Sequence, residues 1–429
     1  MSRQPRFGSY QAGAVAGAFS RLTLNDGSAD HTKCVLDRYI SDLNVDMSNN
    51  GLSAEPWTSE GFAYLWGGVK ATHGVTRGKV CFEVKLERHL KVILPPEETS
   101  KHVVRCGWST DGAPLQLGED AFSYGYGGTA KRSTRGEFYD YGERFQAGDV
   151  ITACLDMERG KPTISFCKNG KDLGVAFIVQ ENLAGKTLFP HLLLKNTAVS
   201  VNFGQRDLPY YPVPGGYTLI GALPAAERVR GPLAPATKKN CEVLMMVGLP
   251  GAGKSTWVEN HCKDHPEKRY YILGTNHIMD MMKVMGLRRQ RNYMERWDNL
   301  FRSANECLNR FLQIAGGQRR NFIIDQTNVY PSARRRKMTP FEGFTRKAIV
   351  VVPTDEEFRS RIRKRTGEEN KVVPESEILK MKANFELPTT RYLFDECIYV
   401  ELNSADAGGL VTRYNREGSR RHQYVDWYD

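Results

Sequence analysis

The sequence predicts two folded domains of different classes, an all-β sandwich followed by an α/β domain with a parallel sheet. In the first half of the chain, short apolar and aromatic runs alternate with turn residues, which is typical of antiparallel β structure. From Cys241 onward, apolar runs alternate with helical segments, which favours a parallel sheet. A chain of 429 residues has room for two or three domains that each bury a core.

Six short runs carry the β pattern of the first region. They are residues 62–66, 80–84, 103–108, 150–155, 163–166 and 199–203. The dipeptide Asn169-Gly170, directly after one of these runs, tolerates the positive φ angles of a type I′ turn and predicts a hairpin. The expected boundaries are a disordered segment 1–30, a sandwich 31–205, a packed proline-rich linker 206–240, an α/β domain 241–403 and a C-terminal tail 404–429.

A glycine-rich loop opens the α/β region and organises it. The apolar run 243–247 leads into Gly248-Leu249-Pro250-Gly251-Ala252-Gly253-Lys254-Ser255-Thr256, which matches the P-loop pattern between a strand and a helix. Backbone N–H groups of such a loop cradle phosphates, the lysine contacts the outer phosphates and the serine hydroxyl ligates Mg²⁺. Further strands are expected at 270–273, 322–324, 348–352 and 398–402, with a long helix over 291–315.

Asp325 is the second candidate residue of this site. It directly follows the apolar run 322–324, where a Walker-B-type aspartate holds Mg²⁺ near the loop serine. The alternative is a turn aspartate that caps Thr327. The sequence thus predicts a site for ATP and Mg²⁺, with Ser255 and Asp325 on the metal.

The positive charge of the chain is concentrated beside this loop. The formal net charge is +11, while residues 283–365 contain 20 Lys or Arg against 8 Asp or Glu, a local excess of 12. A charge run is usually a solvated face, but this concentration favours a polyanion partner. The candidate contacts for nucleic acid are Arg288, Arg289, Arg291, Arg334, Arg335, Arg336 and Lys337.

Other functional classes find no support in the sequence. The nine cysteines are scattered and include no C-x-x-C pair, so neither a disulfide framework nor a zinc site is expected. No stretch approaches the roughly 18 apolar residues that a membrane span needs, and no membrane partner is expected.

The β-rich region resembles the SPRY family. The likeness lies in residues 78–84, 105–109, 122–126, 149–151, 166–177 and 188–191. It implies a bent β-sandwich that binds protein partners through surface loops and has no catalytic residues.

The segment 241–403 resembles the kinase domain of polynucleotide kinases, in the P-loop, in Asp325-Gln326-Thr327-Asn328 and in residues 371–374. The resemblance implies a catalytic aspartate at the position that Thr275 occupies here, and lid arginines near 363–369, where this chain has Glu368-Glu369 beside Arg363 and Arg365. A threonine hydroxyl cannot act as the general base near neutral pH, which leaves Asp280 as the only nearby substitute. No catalytic residue is therefore assigned, and a pseudokinase is expected.

Together, the two regions resemble the heterogeneous nuclear ribonucleoprotein U and U-like family. The stretches 272–276, 285–293, 334–338 and 380–385 look most like the U-like members. The resemblance implies a nuclear, RNA-associated protein in RNA processing or transcription. The N-terminal SAP segment and the Arg-Gly-Gly repeats of longer members are not recognisable, which weakens the expectation of autonomous RNA binding.

Three functions stay open from the sequence. The first is a nuclear RNA-associated scaffold that binds ATP and protein partners without phosphate transfer. The second is an active ATP-dependent polynucleotide 5′-kinase, and the third is a protein-interaction scaffold that binds no nucleotide.

Overall fold

A computed structural model of the chain describes residues 30–158, 160–282, 294–369 and 374–425. Its first part is a sandwich of two β-sheets, as predicted. The strands are β1 Leu36–Ser41, β2 Val45–Met47, β3 Ser53–Pro56, β4 Gly67–Ala71, β5 His73–Gly74, β6 Lys79–His89, β7 Val103–Thr110, β8 Ser123–Gly127, β9 Lys131–Thr134, β10 Glu137–Asp140, β11 Val150–Asp156, β12 Thr163–Lys168, β13 Lys171–Ile178, β14 Leu188–Lys195, β15 Thr197–Asn202, β16 Thr218–Leu219 and β17 Val229–Arg230.

The two sheets of the sandwich have seven and eight strands. The first follows the order β1-β4-β14-β7-β8-β9-β10 and the second the order β13-β12-β11-β6-β15-β3-β2, with β16 paired to β6. Alternate side chains of each strand face the partner sheet, and the rings of Phe82 and Trp108 meet there edge to face at 5.2 Å. The Asn169-Gly170 hairpin is confirmed: φ is +51° and +81°, and Lys168 pairs with Lys171.

The segment 206–240 packs along the sandwich. The buried carboxylate of Glu83 accepts hydrogen bonds from the backbone N–H groups of Tyr210 and Tyr211, at 3.0 and 3.1 Å. Farther along, β16 pairs with β6 in parallel and β17 pairs with β5. These contacts fix the path of the chain between the two folded regions.

The second part is an α/β domain around a five-stranded parallel sheet. Its strands are β18 Glu242–Val247, β19 Tyr271–Leu273, β20 Phe322–Ile324, β21 Thr345–Val350 and β22 Glu396–Tyr399, in the order β19-β20-β18-β21-β22. Its helices are α1 Lys254–Asp264, α2 Thr275–Met281, α3 Met294–Gly316, α4 Pro331–Met338, α5 Asp355–Glu369, α6 Glu375–Ala383 and α7 Ser404–Val425. Every residue of the central strand β18 is buried.

The predicted C-terminal tail needs correction. Residues 404–425 form helix α7. One face of that helix belongs to the core of the α/β domain, through Ala407, Leu410, Val411 and Tyr414. These residues recur at helical spacing, so the folded domain extends beyond residue 403. Among the described residues, none of the helices is long and apolar enough to cross a membrane.

The predicted strand at 62–66 is wrong as well. Residues Glu60–Tyr64 form a 3₁₀ turn. Phe62 and Leu65, three residues apart, are fully buried in the hydrophobic core of the α/β domain. Phe62 packs between the rings of Trp57 and Phe311, at 5.5 and 5.3 Å. The apolar run therefore joins the two domains instead of adding a strand to the sandwich.

Polar contacts surround this hydrophobic contact between the two domains, which we call the joint. Asp42 of the sandwich accepts hydrogen bonds from the Gly68 backbone N–H at 2.7 Å and from the Tyr271 hydroxyl at 3.1 Å. The buried Arg320 donates to the Ser41 carbonyl at 2.8 Å and lies over the ring of Tyr271. Through Tyr271, the first residue of β19, the sandwich contacts the edge strand of the parallel sheet.

The buried Asp42 predicts a pH dependence of stability. Burial, opposed by the two hydrogen bonds and by Arg320, raises the pKa of Asp42 to about 6, from an ordinary value near 3.9. A raised carboxyl pKa gives stability that is complete below about pH 4 and is lost as the pH rises towards about 6. This group alone should lower the free energy of unfolding by up to about 3 kcal/mol over that interval.

Urea denaturation at several pH values tests this expectation. Asp42→Asn should remove the decrease between about pH 4 and pH 6, while Asp46→Asn, which changes an exposed carboxylate nearby, should keep it. Equal pH profiles for the two variants would contradict the assignment.

Candidate nucleotide site

The glycine-rich loop lies at the carboxyl end of the central strand. It connects β18 to α1, which begins at Lys254. The hydrophobic strand holds the loop at the edge of the sheet where parallel α/β domains bind ligands. The strand–loop–helix arrangement that the sequence motif requires is thus present.

Two glycines of the loop occupy positions where a side chain would not fit. Gly251 and Gly253 have φ angles of +83° and +103°, which only glycine adopts freely. A Cβ atom on Gly251 would lie 2.5 Å from the Ile362 side chain, and one on Gly253 would lie 2.6 Å from the Arg361 guanidinium. Helix α5 therefore packs directly over the loop.

The two predicted metal ligands lie next to each other. The Ser255 hydroxyl donates a hydrogen bond of 2.6 Å to Asp325 Oδ2. Asp325 follows β20, the strand beside β18, and its own N–H donates to the Leu273 carbonyl. A hydroxyl and a carboxylate side by side are oxygen donors of the kind that Mg²⁺ prefers, and in P-loop proteins water and phosphate supply the other ligands.

Lys254 is folded back onto the loop. Its Nζ donates to the Leu249 carbonyl at 2.8 Å, and the residue is 8% exposed. In the described part of the chain, no group of three or more His, Cys, Asp or Glu side chains could hold a metal.

The hydroxyl of Thr275, the residue at the position of the expected base, makes two hydrogen bonds within the protein. Its hydroxyl donates to Asn305 Oδ1 at 2.8 Å and accepts from Gln326 Nε2 at 2.6 Å. The residue is buried, at 6% exposure. A neutral hydroxyl with these two partners has neither the basicity nor the free orientation to remove a proton from a substrate.

Asp280, the nearby carboxylate considered as a substitute base, lies farther along the same helix. Thr275 and Asp280 lie at opposite ends of α2. Five residues along a helix amount to about 7.5 Å of rise and about 140° of rotation. The carboxylate therefore starts from a different face of the helix.

The polar chain continues from Gln326 to a buried lysine. Lys337 donates from Nζ to Gln326 Oε1 and, at 2.7 Å, to Asn328 Oδ1. Asn328 in turn donates to the Met246 carbonyl of β18 at 2.8 Å. Burial, with the neighbouring charge of Arg336, lowers the pKa of Lys337 to about 8.

Half of the basic cluster on α4 is therefore not available to nucleic acid, which corrects the sequence-based prediction for Arg334 and Lys337. The Arg334 guanidinium is buried and donates to the carbonyls of Asn328, Val329 and Glu386. Arg335 and Arg336 are exposed. The remaining candidates, Arg288, Arg289 and Arg291, lie outside the described residues.

A basic residue that the sequence reasoning missed lies at the loop itself. Arg361 donates to the Ala252 carbonyl at 2.5 Å and pairs with Glu357 and Glu401 at 2.6 and 2.9 Å. The lid arginines were expected near residues 363–369, which begin two residues after Arg361. Of these, Arg363 is exposed, and the side chains of 365–369 lie outside the described residues. The sequence did contain a signal for an ordered Arg361: Glu357 precedes it by four residues, and side chains at that spacing can pair on a helix.

Comparisons with known families assign both regions. The SPRY domain model matches residues 79–206, and an AAA domain model matches residues 243–388. The first falls within the sandwich, and the second begins at β18 and contains the loop, Thr275 and Asp325.

Among characterised proteins, the chain is 43% identical to heterogeneous nuclear ribonucleoprotein U-like protein 2 of Homo sapiens over 398 residues, which cover 92% of this chain and 53% of that protein. The Mus musculus protein of the same name is 43% identical over 91% of this chain and 52% of its own length. ATP-dependent RNA helicase Ddx1 of Drosophila melanogaster is 39% identical over 40% of this chain and 22% of that protein.

The chain spans about half the length of the U-like relatives it matches. Within that span, the likeness extends through both domains. The chain is therefore a homologue of the heterogeneous nuclear ribonucleoprotein U-like proteins, built from a SPRY domain followed by a P-loop domain.

Proposed function

We propose that this chain is a nuclear, RNA-associated scaffold whose P-loop domain binds Mg-ATP without transferring its phosphate. The SPRY domain would contribute the contacts with protein partners. The observation that carries the proposal is the contrast between two neighbouring positions: the Ser255–Asp325 pair suits a metal, whereas Thr275 is held between Asn305 and Gln326.

The Ser255–Asp325 pair bears on nucleotide binding, and Thr275 bears on phosphate transfer. A phosphate loop with its lysine, serine and aspartate supports binding of nucleotide and metal. Phosphate transfer to a hydroxyl also needs a group that accepts its proton, and loss of such a base typically costs 10²–10⁴-fold in rate. The site is therefore suited to bind ATP and poorly suited to use it.

The association with RNA is supported by the relatives and by charge. The U-like relatives are named as ribonucleoproteins. The basic stretch 283–365 gives this chain a local excess of positive charge, and Arg335 and Arg336 are exposed within it. Phosphate backbones attract such clusters in a salt-dependent manner.

A single experiment separates the proposal from its alternatives. The full chain is mixed with Mg-ATP labelled at the γ-phosphate and with a 5′-hydroxyl RNA, and unfolding and RNA labelling are both followed. At 100 times its dissociation constant, Mg-ATP should add about 2.7 kcal/mol to the free energy of unfolding. Lys254→Ala should abolish this gain, and the RNA should stay unlabelled.

Each other outcome has a defined meaning. Labelling that disappears in Lys254→Ala would show an active polynucleotide 5′-kinase. No stabilisation by millimolar Mg-ATP would leave a protein-interaction scaffold without nucleotide.

The metal half of the site yields a separate prediction. Ser255→Ala removes one Mg²⁺ ligand and the hydrogen bond to Asp325, so it should reduce the stabilisation by Mg-ATP and leave that by metal-free ATP in EDTA unchanged. Asn260→Ala, an exposed position farther along α1 and outside the loop, is the matched control and should behave as wild type. An equal loss with and without Mg²⁺ would mean that Ser255 does not act through the metal.

A further inference from the structure

Three of the nine cysteines, far apart in the sequence, lie together in the eight-stranded sheet of the sandwich. Cys81 is on β6, Cys154 on β11 and Cys167 on β12, and these strands are neighbours in the sheet. All three residues are buried. Cys154 shares hydrogen bonds with the thiols of both other cysteines, so the three sulfur atoms form one cluster.

The thiols of Cys81 and Cys154 point away from the sandwich core. The residues before and after each of them along the strand belong to that core: Val80, Phe82, Ala153 and Leu155. Because successive side chains of a strand point to opposite faces, Cys81 and Cys154 lie on the outer face of the sheet. There the linker covers them, through Leu219 of β16 and the partly buried side chains of Val213 and Tyr217.

The register places Cys81 directly opposite Cys154. Three residue pairs farther along the same ladder, the Met157 N–H donates to the Gly78 carbonyl. Hydrogen-bonded and non-hydrogen-bonded pairs alternate along an antiparallel ladder, so Cys81 and Cys154 form a non-hydrogen-bonded pair. The Cα atoms of such a pair are about 4.5 Å apart, within the range of roughly 4.4–6.8 Å that a disulfide spans.

Cys167 is less well placed for a bond to Cys154. On β12, Ser165 lies opposite Cys154, and Cys167 lies opposite Thr152, so the two cysteines are diagonal neighbours. Cα atoms of diagonal neighbours are about 7–8 Å apart, and a separation above about 7 Å cannot be bridged without backbone movement. The backbone thus favours Cys81 over Cys167 as the partner of Cys154.

We infer that Cys81 and Cys154 are an oxidation site of the SPRY domain, where a hydroperoxide converts the two thiols into a reversible disulfide. The linker segment over the pair is held by β16, a strand of only two residues, and so short an element can open locally to admit a small oxidant. The inference goes beyond the proposed function and depends on neither nucleotide nor RNA.

The reaction needs one hydroperoxide for each disulfide. The sulfur of one cysteine attacks the O–O bond, which breaks; a sulfenic acid forms, and the leaving oxygen takes up the thiol proton. The sulfur of the other cysteine then attacks the sulfenic sulfur. The S–S bond forms, the S–O bond breaks, and the oxygen leaves as water with the second thiol proton. Exchange with a dithiol returns both thiols.

Peptide mapping of the full chain tests the inference. The reduced protein is treated with hydrogen peroxide, then with N-ethylmaleimide to alkylate free thiols, and is digested with trypsin without reduction. Trypsin separates the three cysteines into peptides 80–85, 145–159 and 160–168. Peptides 80–85 and 145–159 should be recovered joined to each other, and peptide 160–168 should carry the maleimide. Dithiothreitol should separate the joined peptides.

Cys154→Ala should abolish the joined peptides, and Cys167→Ala, which changes the third thiol of the cluster, is the matched control and should retain them. Oxidation should also raise the midpoint of thermal unfolding by about 4 °C or more in the wild type and in Cys167→Ala, because the bond restricts the unfolded chain. Cys154→Ala should show no such rise.

Three results would overturn the inference. The first is a bond between peptides 145–159 and 160–168 in place of the expected one. The second is oxidation of the cysteines to sulfinic acid without a disulfide. The third is complete alkylation of all three cysteines after treatment with millimolar hydrogen peroxide. Because the wild-type map alone distinguishes these results, the test does not depend on the stability of any variant.

Discussion

Replacing Phe62 with alanine should lower the free energy of unfolding by about 3–5 kcal/mol, the usual cost of removing a fully buried aromatic ring. In the sequence, Phe62 lies between two strands of the sandwich, but its ring lies in the core of the P-loop domain between Trp57 and Phe311. The loss should therefore fall on the joint between the domains. We expect urea denaturation to change from one cooperative transition into two.

Phe82→Ala is the matched control for this prediction. Phe82 is equally buried and packs edge to face on Trp108 inside the sandwich. Its loss should destabilise the SPRY domain by a similar amount and leave the joint intact. A single transition for Phe62→Ala, with a change below about 1 kcal/mol, would show that the joint does not depend on this ring.

The joint also shows where sequence reasoning reaches its limit. The run 62–66 is apolar and aromatic, and such a short run fits a buried strand as well as any other buried segment. What decides its conformation is the surface of α3, which is more than 200 residues away in the sequence. Tertiary packing of this kind overrides local propensity, and the single sequence contains no local trace of it.

The candidate nucleotide site likewise contains features that a local sequence motif predicts and features that depend on tertiary packing. Gly251, Gly253 and Lys254 follow from a local motif, since backbone geometry and phosphate chemistry dictate residue types at fixed spacing. The position of Asp325 beside Ser255 follows from adjacent parallel strands ending at one edge of the sheet. The engagement of Thr275 by Asn305 and Gln326 could not be predicted, because it joins three separate elements.

Breaking the buried ion pair of the SPRY domain should have an effect as large as that of Phe62→Ala. Lys195→Met leaves Glu98 buried without its cation, and both side chains are 1% exposed in the native protein. Removing one partner of such a pair typically costs about 3–5 kcal/mol. We expect this loss in the free energy of unfolding, measured by urea denaturation at neutral pH.

The double variant Glu98→Leu/Lys195→Met provides the control, because it removes both charges together. Replacing a whole buried pair by apolar side chains is often neutral or stabilising, so the double variant should recover most of the loss. A double variant as unstable as Lys195→Met would mean that the pair stabilises the fold directly. Recovery would mean that the fold does not need this pair for its stability.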